Sequence, residues 1–185
     1  MKERILTSLL TVFVITGIQS QSPAPVPRLV VGLTIDQLRA DYIEAFSALY
    51  GERGFKRLLK EGRIYTNAEY DFINVDRSSA TASIYTGTTP YYNGIPANRW
   101  MDRNSLRIIK SVDDQSFMGV YTSENSSAKL LHCSTLSDEL KVATQGQAEV
   151  YSIAPTREMA ILAAGHAADG AFWLNDETGK WAGTT

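Results

Sequence analysis

Hydrophobic and polar positions follow two different periods along this chain, and each change of period marks an expected element. Residues 28–35 are almost all aliphatic or β-branched, with no alternating polar face, and the run ends on Asp36. That pattern predicts a buried strand delivering a carboxylate to the rim of a sheet. Leu38, Tyr42, Ala45, Phe46 and Leu49 then recur at helical spacing opposite Arg39, Asp41 and Glu44, predicting an amphipathic helix laid on the sheet. Gly51 and Gly54 end it, and Phe55, Leu58 and Leu59 begin a short second helix that Gly62 closes. Residues 63–66 read as a short strand and 69–76 as a loop. The small residues of 78–87 predict a close-packing helix starting near Ser78, and Thr88-Thr89-Pro90 with Asn93-Gly94 punctuate the loop after it. Residues 101–131 show little periodicity and read as an irregular cap or excursion. Regularity returns with Ser137 as N-cap of a helix to about Thr144. A strand over 149–154, a helix over 157–163, a strand over 170–174 and a hairpin turn over 175–180 follow. Strands alternating with helices predict an α/β fold with an at least partly parallel sheet.

Composition adds one feature. A chain of 185 residues that is 44% hydrophobic, with a net charge of -2, suits one globular domain. Its charges are scattered, so no basic stripe suggests nucleic acid. Lys2 and Arg4 precede an apolar stretch over 5–18, followed by small residues, which is the order of a secretory signal. We expect a signal peptide over 1–20 and a Pro-rich spacer over 21–27; an uncleaved membrane anchor is the alternative reading of the same stretch. The single cysteine, Cys133, forbids an internal disulfide and is expected to be buried. Export without disulfides points to a bacterial periplasm or cell exterior, with no membrane attachment after cleavage.

The segments around Val30-Val31-Gly32-Leu33-Thr34-Ile35-Asp36-Gln37-Leu38-Arg39, Gly54-Phe55-Lys56-Arg57-Leu58-Leu59, Ser83-Ile84-Tyr85-Thr86-Gly87, Asn93-Gly94-Ile95-Pro96-Ala97-Asn98-Arg99-Trp100 and Ala163-Ala164-Gly165-His166-Ala167-Ala168 occur in an order that resembles the alkaline phosphatase superfamily. The branch resembled is that of the secreted PafA-like phosphatases, related to type I phosphodiesterases and nucleotide pyrophosphatases. The resemblance implies a doubly wound sheet, two zinc ions, a Thr or Ser nucleophile at a helix N-terminus and a small phosphorylated substrate. It implies that Asp36 is a metal ligand, although Asp36 also suits the N-cap of the next helix. It implies that Asn98 binds a phosphoryl oxygen, although Asn is equally at home stabilising a loop. Gapless counting puts the nucleophile at Arg77, whose guanidinium stays protonated and cannot attack phosphorus. Ser78 is the adjacent candidate, either as nucleophile or as N-cap. Asn74 and Val75 replace the usual Pro and Thr of the family.

Where the family carries a Lys-x-Arg phosphate clamp, this chain has only Arg157, which either contacts substrate or pairs with Glu158 or Glu149. His166 reads as structural. The remaining Asp and His ligands of the family belong to a later half, so the resemblance covers an N-terminal portion that is not expected to hold two zinc ions by itself. The expected function is that of the N-terminal part of an exported, metal-dependent phosphoric ester hydrolase. The alternative is a catalytically inactive member binding an anion through Arg77 and Arg157. A sulfatase is disfavoured, because that branch needs a Cys or Ser in a Pro and Arg context for formylglycine formation and neither Cys133 nor Ser78 has it. A dinucleotide-binding fold is disfavoured because no Gly-rich turn follows the strand ending at Asp36.

Overall fold

The computed structural model describes residues 26–184; the expected signal segment and most of the spacer lie outside them. The chain divides at Gly32 and Leu33 into two units. In the first, the described residues 26–32 form no helix or strand, and Leu29 and Val31 are exposed. The second holds every described helix and strand.

The strand expected over 28–36 does not form, nor does the one over 63–66. A strand needs a ladder partner, and neither stretch finds one among the described residues. The helix expected after Asp36 is split into α1 (Ala40–Ala45) and a 3-10 turn (Ser47–Leu49). It buries no residue, so it does not cover the sheet. The second helix, α2 (Phe55–Glu61), stops at Gly62 as its spacing predicts.

The core is built from α3 (Arg77–Thr86), α6 (Arg157–Ala164) and a three-stranded sheet, while α5 (Leu136–Ala143) buries only Asp138. Between α3 and α5 come the short α4 (Pro90–Asn93) and a hairpin of β1 (Arg99–Met101) and β2 (Ile108–Lys110). Strand β3 (Tyr151–Ala154) runs parallel to β4 (Gly170–Asn175), joined by helix α6 (Arg157–Ala164) in a β-α-β unit. Strand β5 (Lys180–Thr184) returns antiparallel to β4. Asn175 makes that turn by accepting the N–H groups of Glu177 and Thr178, and Gly179 adopts the left-handed conformation the return requires.

One sheet face packs on helices. Ala171, Trp173 and Ala182 turn inward with Ala160, Ile161, Leu162 and Ala164 of α6 and Ala82 of α3. Small side chains on α3 and α6 let the two helices approach closely. The excursion after β2 is irregular, but it gives Val112, Ala128 and Leu131 to the same core, and Val120 exchanges both backbone bonds with Gly183 of β5. The other sheet face leaves Tyr151, Ile153, Leu174 and Trp181 exposed.

Two N-caps lie two residues earlier than expected. Helix α5 is capped by Thr135, not Ser137, with Asp138 reaching back to complete a capping box. Ser137 instead donates to the carbonyl of Ala163. Helix α3 is capped by Asp76, not Ser78. Cys133 is only partly buried, its Sγ 3.3 Å from the carbonyl of Tyr92. Among the described residues no helix is long and apolar enough to cross a membrane.

Candidate functional site

The N-terminus of α3 gathers the residues singled out in the sequence. Asp76 and Ser79 form a reciprocal box: Oδ1 of Asp76 accepts the Ser79 N–H at 2.9 Å, and Oγ of Ser79 accepts the Asp76 N–H at 2.9 Å. The other Asp76 oxygen accepts the backbone N–H of Asn98 at 2.6 Å. One carboxylate thus holds the loop of Asn98 against the helix start. Asn98 sits at the foot of the β1–β2 hairpin, where its carbonyl accepts the N–H of Ser111.

Ser78 lies beneath this junction and is fully buried. Its Oγ donates to Oδ1 of Asn98 at 2.9 Å and is 3.2 Å from Oγ of Ser111. Oδ1 of Asn98 is thus taken by Ser78, which leaves its Nδ2 as the side chain's donor group, and Asn98 itself is exposed. Arg77, the first residue of α3, points to Asp36: its Nε donates to Oδ2 at 2.7 Å. Both side chains of this pair are substantially exposed, at 53% and 39%. Asp36 does not cap a helix, because the N-cap of α1 is Arg39, which makes no side-chain cap bond. The chain leaves Asp36 through Gln37 in the left-handed region, φ 58°, uncommon for a residue with a side chain. Nearby, burial and then the negative charge of Asp36 push the Tyr70 hydroxyl above its ordinary pKa. Asp36, Arg77, Ser78 and Asn98 are therefore connected around one helix end.

Arg157 makes no hydrogen bond with that group. It is buried, with Nη2 2.8 Å from Oδ1 of Asp113 and 3.6 Å from Glu158, and Nη1 3.4 Å from Glu124 and 3.2 Å from Oγ of Ser126. Its neighbours are three carboxylates, two of them brought by the excursion. Thr156, which caps α6 without a side-chain bond, and Trp173 each bury a polar atom with no hydrogen-bond partner among the described residues. His166 has the structural place expected of it. Nδ1 faces Asp138 at 3.0 Å and Nε2 faces the carbonyl of Leu131 at 3.0 Å. Asp138 also accepts the N–H groups of Thr135, His166 and Ala167. Burial alone would raise its carboxyl pKa, but these donors outweigh burial and hold it below the ordinary range.

Sequence reasoning missed Asp76 and Ser111. The Asp76-x-x-Ser79 spacing was a readable capping signal, whereas Ser111 is brought in only by hairpin pairing across the site.

The described residues do not fit a pair of zinc ions. Asp36, the ligand that the resemblance implies, already carries a guanidinium, and no three His, Cys, Asp or Glu side chains converge among the described residues.

The sequence profile described as type I phosphodiesterase / nucleotide pyrophosphatase matches residues 30–185. The chain is 35% identical over 97% of its length to alkaline phosphatase PafA of Elizabethkingia meningoseptica, covering 34% of that protein. It is 41% identical over 86% of its length to alkaline phosphatase PhoV of Synechococcus elongatus, covering 30% of it. The crystal structure of wild-type PafA superposes with a TM-score of 0.82 at 34% identity, over 87% of this chain and 32% of that one. The chain spans about a third of the length of these relatives.

Proposed function

From a chain that belongs to the type I phosphodiesterase / nucleotide pyrophosphatase family, on the PafA-like branch of the alkaline phosphatase superfamily, we propose a part of a phosphoric ester hydrolase acting on small phosphorylated substrates. The observation that carries this reading is the meeting of Arg77, Ser78 and Asn98 at the capped start of α3. An N-terminal helix end presents N–H donors and positive potential to an anion. Asn98, held by Asp76 and oriented by Ser78, offers Nδ2 to a phosphoryl oxygen. Arg77 keeps its outer guanidinium nitrogens for the same group while Nε is engaged by Asp36.

Ser78 is the proposed nucleophile. Its hydroxyl must turn from Asn98 toward phosphorus, and its burial means that the Asn98 loop and Arg77 must part to admit the ester. Zinc dependence and export, the latter on the residue order of 1–20, belong to the same proposal. Zinc held in the longer protein would supply Lewis-acid chemistry to the ester. Arg157 enters the proposal as a substrate contact only if substrate displaces its acidic partners.

The complete burial of Ser78 favours a second reading, in which the same groups hold an anion without turnover. Hydrolysis of aryl phosphate monoesters and diesters by the zinc-saturated full-length protein decides between them. We expect turnover that Ser78→Ala abolishes. Undiminished turnover in Ser78→Ala overturns Ser78 as nucleophile, and no turnover with any ester overturns the hydrolase reading.

A further inference from the structure

We propose that the β1–β2 ribbon is a lipid-contact surface whose basic and apolar outer face lies against an anionic bilayer. Register decides which residues share that face: Arg99 pairs with Lys110, and Met101, two residues along, pairs with Ile108. All four therefore project to one side of the ribbon. Trp100 and Ile109 take the other side, where Trp100 packs on the core. At the foot, the N–H of Ser111 donates to the carbonyl of Asn98. The anchored inner face thus holds the outer one toward solvent.

Residues 99–110 include Arg99, Arg103, Arg107 and Lys110, four of the 18 lysines and arginines in a chain of net charge -2. All four are exposed, and none pairs with an acid among the described residues. Asp102, the ribbon's one acid, is engaged inside the loop, where it accepts from the N–H groups of Asn104 and Ser105 and from the Ser105 hydroxyl. Among these cations stand Met101, Ile108 and Leu106, which are 59%, 61% and 74% exposed. Leu106 also lies in the left-handed region, φ 53°, where a bulky side chain is uncommon and asparagine is at ease. A strained turn that holds an apolar side chain in open solvent gains no packing within the chain, which points to a contact outside it.

Charge and hydropathy together choose the partner. A bilayer with anionic headgroups offers negative surface potential to the guanidinium and ammonium groups and hydrocarbon just beneath to Leu106, Met101 and Ile108. Long basic stems keep their charged heads at phosphate level while the apolar side chains dip deeper. A nucleic acid offers phosphates without hydrocarbon and would leave those three side chains uncovered. No described helix is long and apolar enough to cross a membrane, so the contact made by this ribbon is peripheral.

The test is sedimentation of the full-length protein with vesicles of phosphatidylcholine alone and of phosphatidylcholine and phosphatidylglycerol in equal parts. Wild type is compared with Arg99→Gln/Lys110→Gln and with Leu106→Asn. We expect wild type to bind the anionic vesicles at least about tenfold more tightly than the neutral ones, and less tightly as salt rises. Neutralising each cation should weaken that binding about fivefold, so the double variant should bind about 25-fold more weakly. Leu106→Asn should bind about tenfold more weakly, with a melting temperature no lower than wild type, because asparagine eases the turn. No binding to either vesicle, equal binding to both, or undiminished binding in the double variant overturns the proposal. So does vesicle binding in Leu106→Asn equal to wild type, or capture of a duplex oligonucleotide in place of vesicles. The measurement uses no substrate, so its outcome is independent of the hydrolase reading.

Discussion

Oδ2 of Asp76 accepts the backbone N–H of Asn98 at 2.6 Å while Oδ1 caps α3 at Ser79. The two ends of the candidate site, the helix start and the hairpin foot, therefore share one side chain. Asp76→Ala should lower unfolding stability by about 2 kcal/mol, from the lost cap and the lost charge-assisted bond together. Asp76→Asn should cost less, because an amide oxygen still caps. Urea unfolding of the two variants checks the order.

Ser78→Ala has a structural cost separate from catalysis. It removes the donor to Oδ1 of Asn98 in a fully buried position, which should destabilise the protein by about 1–2 kcal/mol. Ser78→Cys, which keeps a weak donor, should fall between. Thermal unfolding of both variants tests this.

Asp114 gives the fold an acid sensitivity. Hydrogen bonds from the Ser116 hydroxyl, then the Ser127 hydroxyl and the Ser116 N–H, with Lys129 adding a weaker attraction, hold its carboxyl at about 2. A folded pKa below the unfolded value of about 3.9 contributes stability that is fully present above that value. The contribution, about 2 kcal/mol at most, is lost as pH falls from about 4 through 2. Asp114→Asn should be less stable at neutral pH and should flatten the fall in stability across that window, measured as urea midpoints at a series of pH values.

Arg157 is the charge whose removal should hurt most. Its side chain is 7% exposed and faces Asp113, Glu124 and Glu158. Arg157→Ala leaves those carboxylates without their shared partner and should cost about 3–5 kcal/mol. Arg157→Lys keeps the charge but lacks the planar fork and should recover only part of that loss. Denaturant unfolding distinguishes the two.

Among the described glycines, Gly165 leaves the least room for a side chain. Its φ is +81°, and a Cβ there would fall against Oγ1 of Thr135 and both oxygens of Asp138. Gly165→Ala should cost more than the roughly 1 kcal/mol of the left-handed conformation alone, because it also pushes Asp138 off His166 and Ala167. Thermal unfolding should place it below Ser78→Ala.

What the sequence made legible were the elements governed by neighbours along the chain. The spacing of Phe55, Leu58 and Leu59 located α2, the small and apolar residues of 157–163 located α6, and the Asn175 to Gly179 turn located the β4–β5 hairpin. The residues over 28–36 carry as strong a strand pattern, yet they form none, because pairing depends on partners that local pattern does not contain. The caps were misplaced for a related reason. Ser78 and Ser137 are both fit to cap, and only the packing that buries Ser78 and turns Ser137 toward Ala163 leaves the role to Asp76 and Thr135. At the site, Asp36 and Asn98 were visible as residue types. The bond between Arg77 and Asp36 spans 41 residues and could be read only from the fold.

The sheet carries a consequence for colloidal behaviour. Among the described residues strand β3 has one neighbour, β4, and the face bearing Tyr151, Ile153, Leu174 and Trp181 is apolar and exposed. An open strand edge beside a bare apolar face is a template for further strands, supplied either by other parts of a polypeptide or by a second molecule. Residues 26–184 prepared alone should therefore form particles whose size grows with concentration, and the solution chemistry of this region is best followed where that face has been covered.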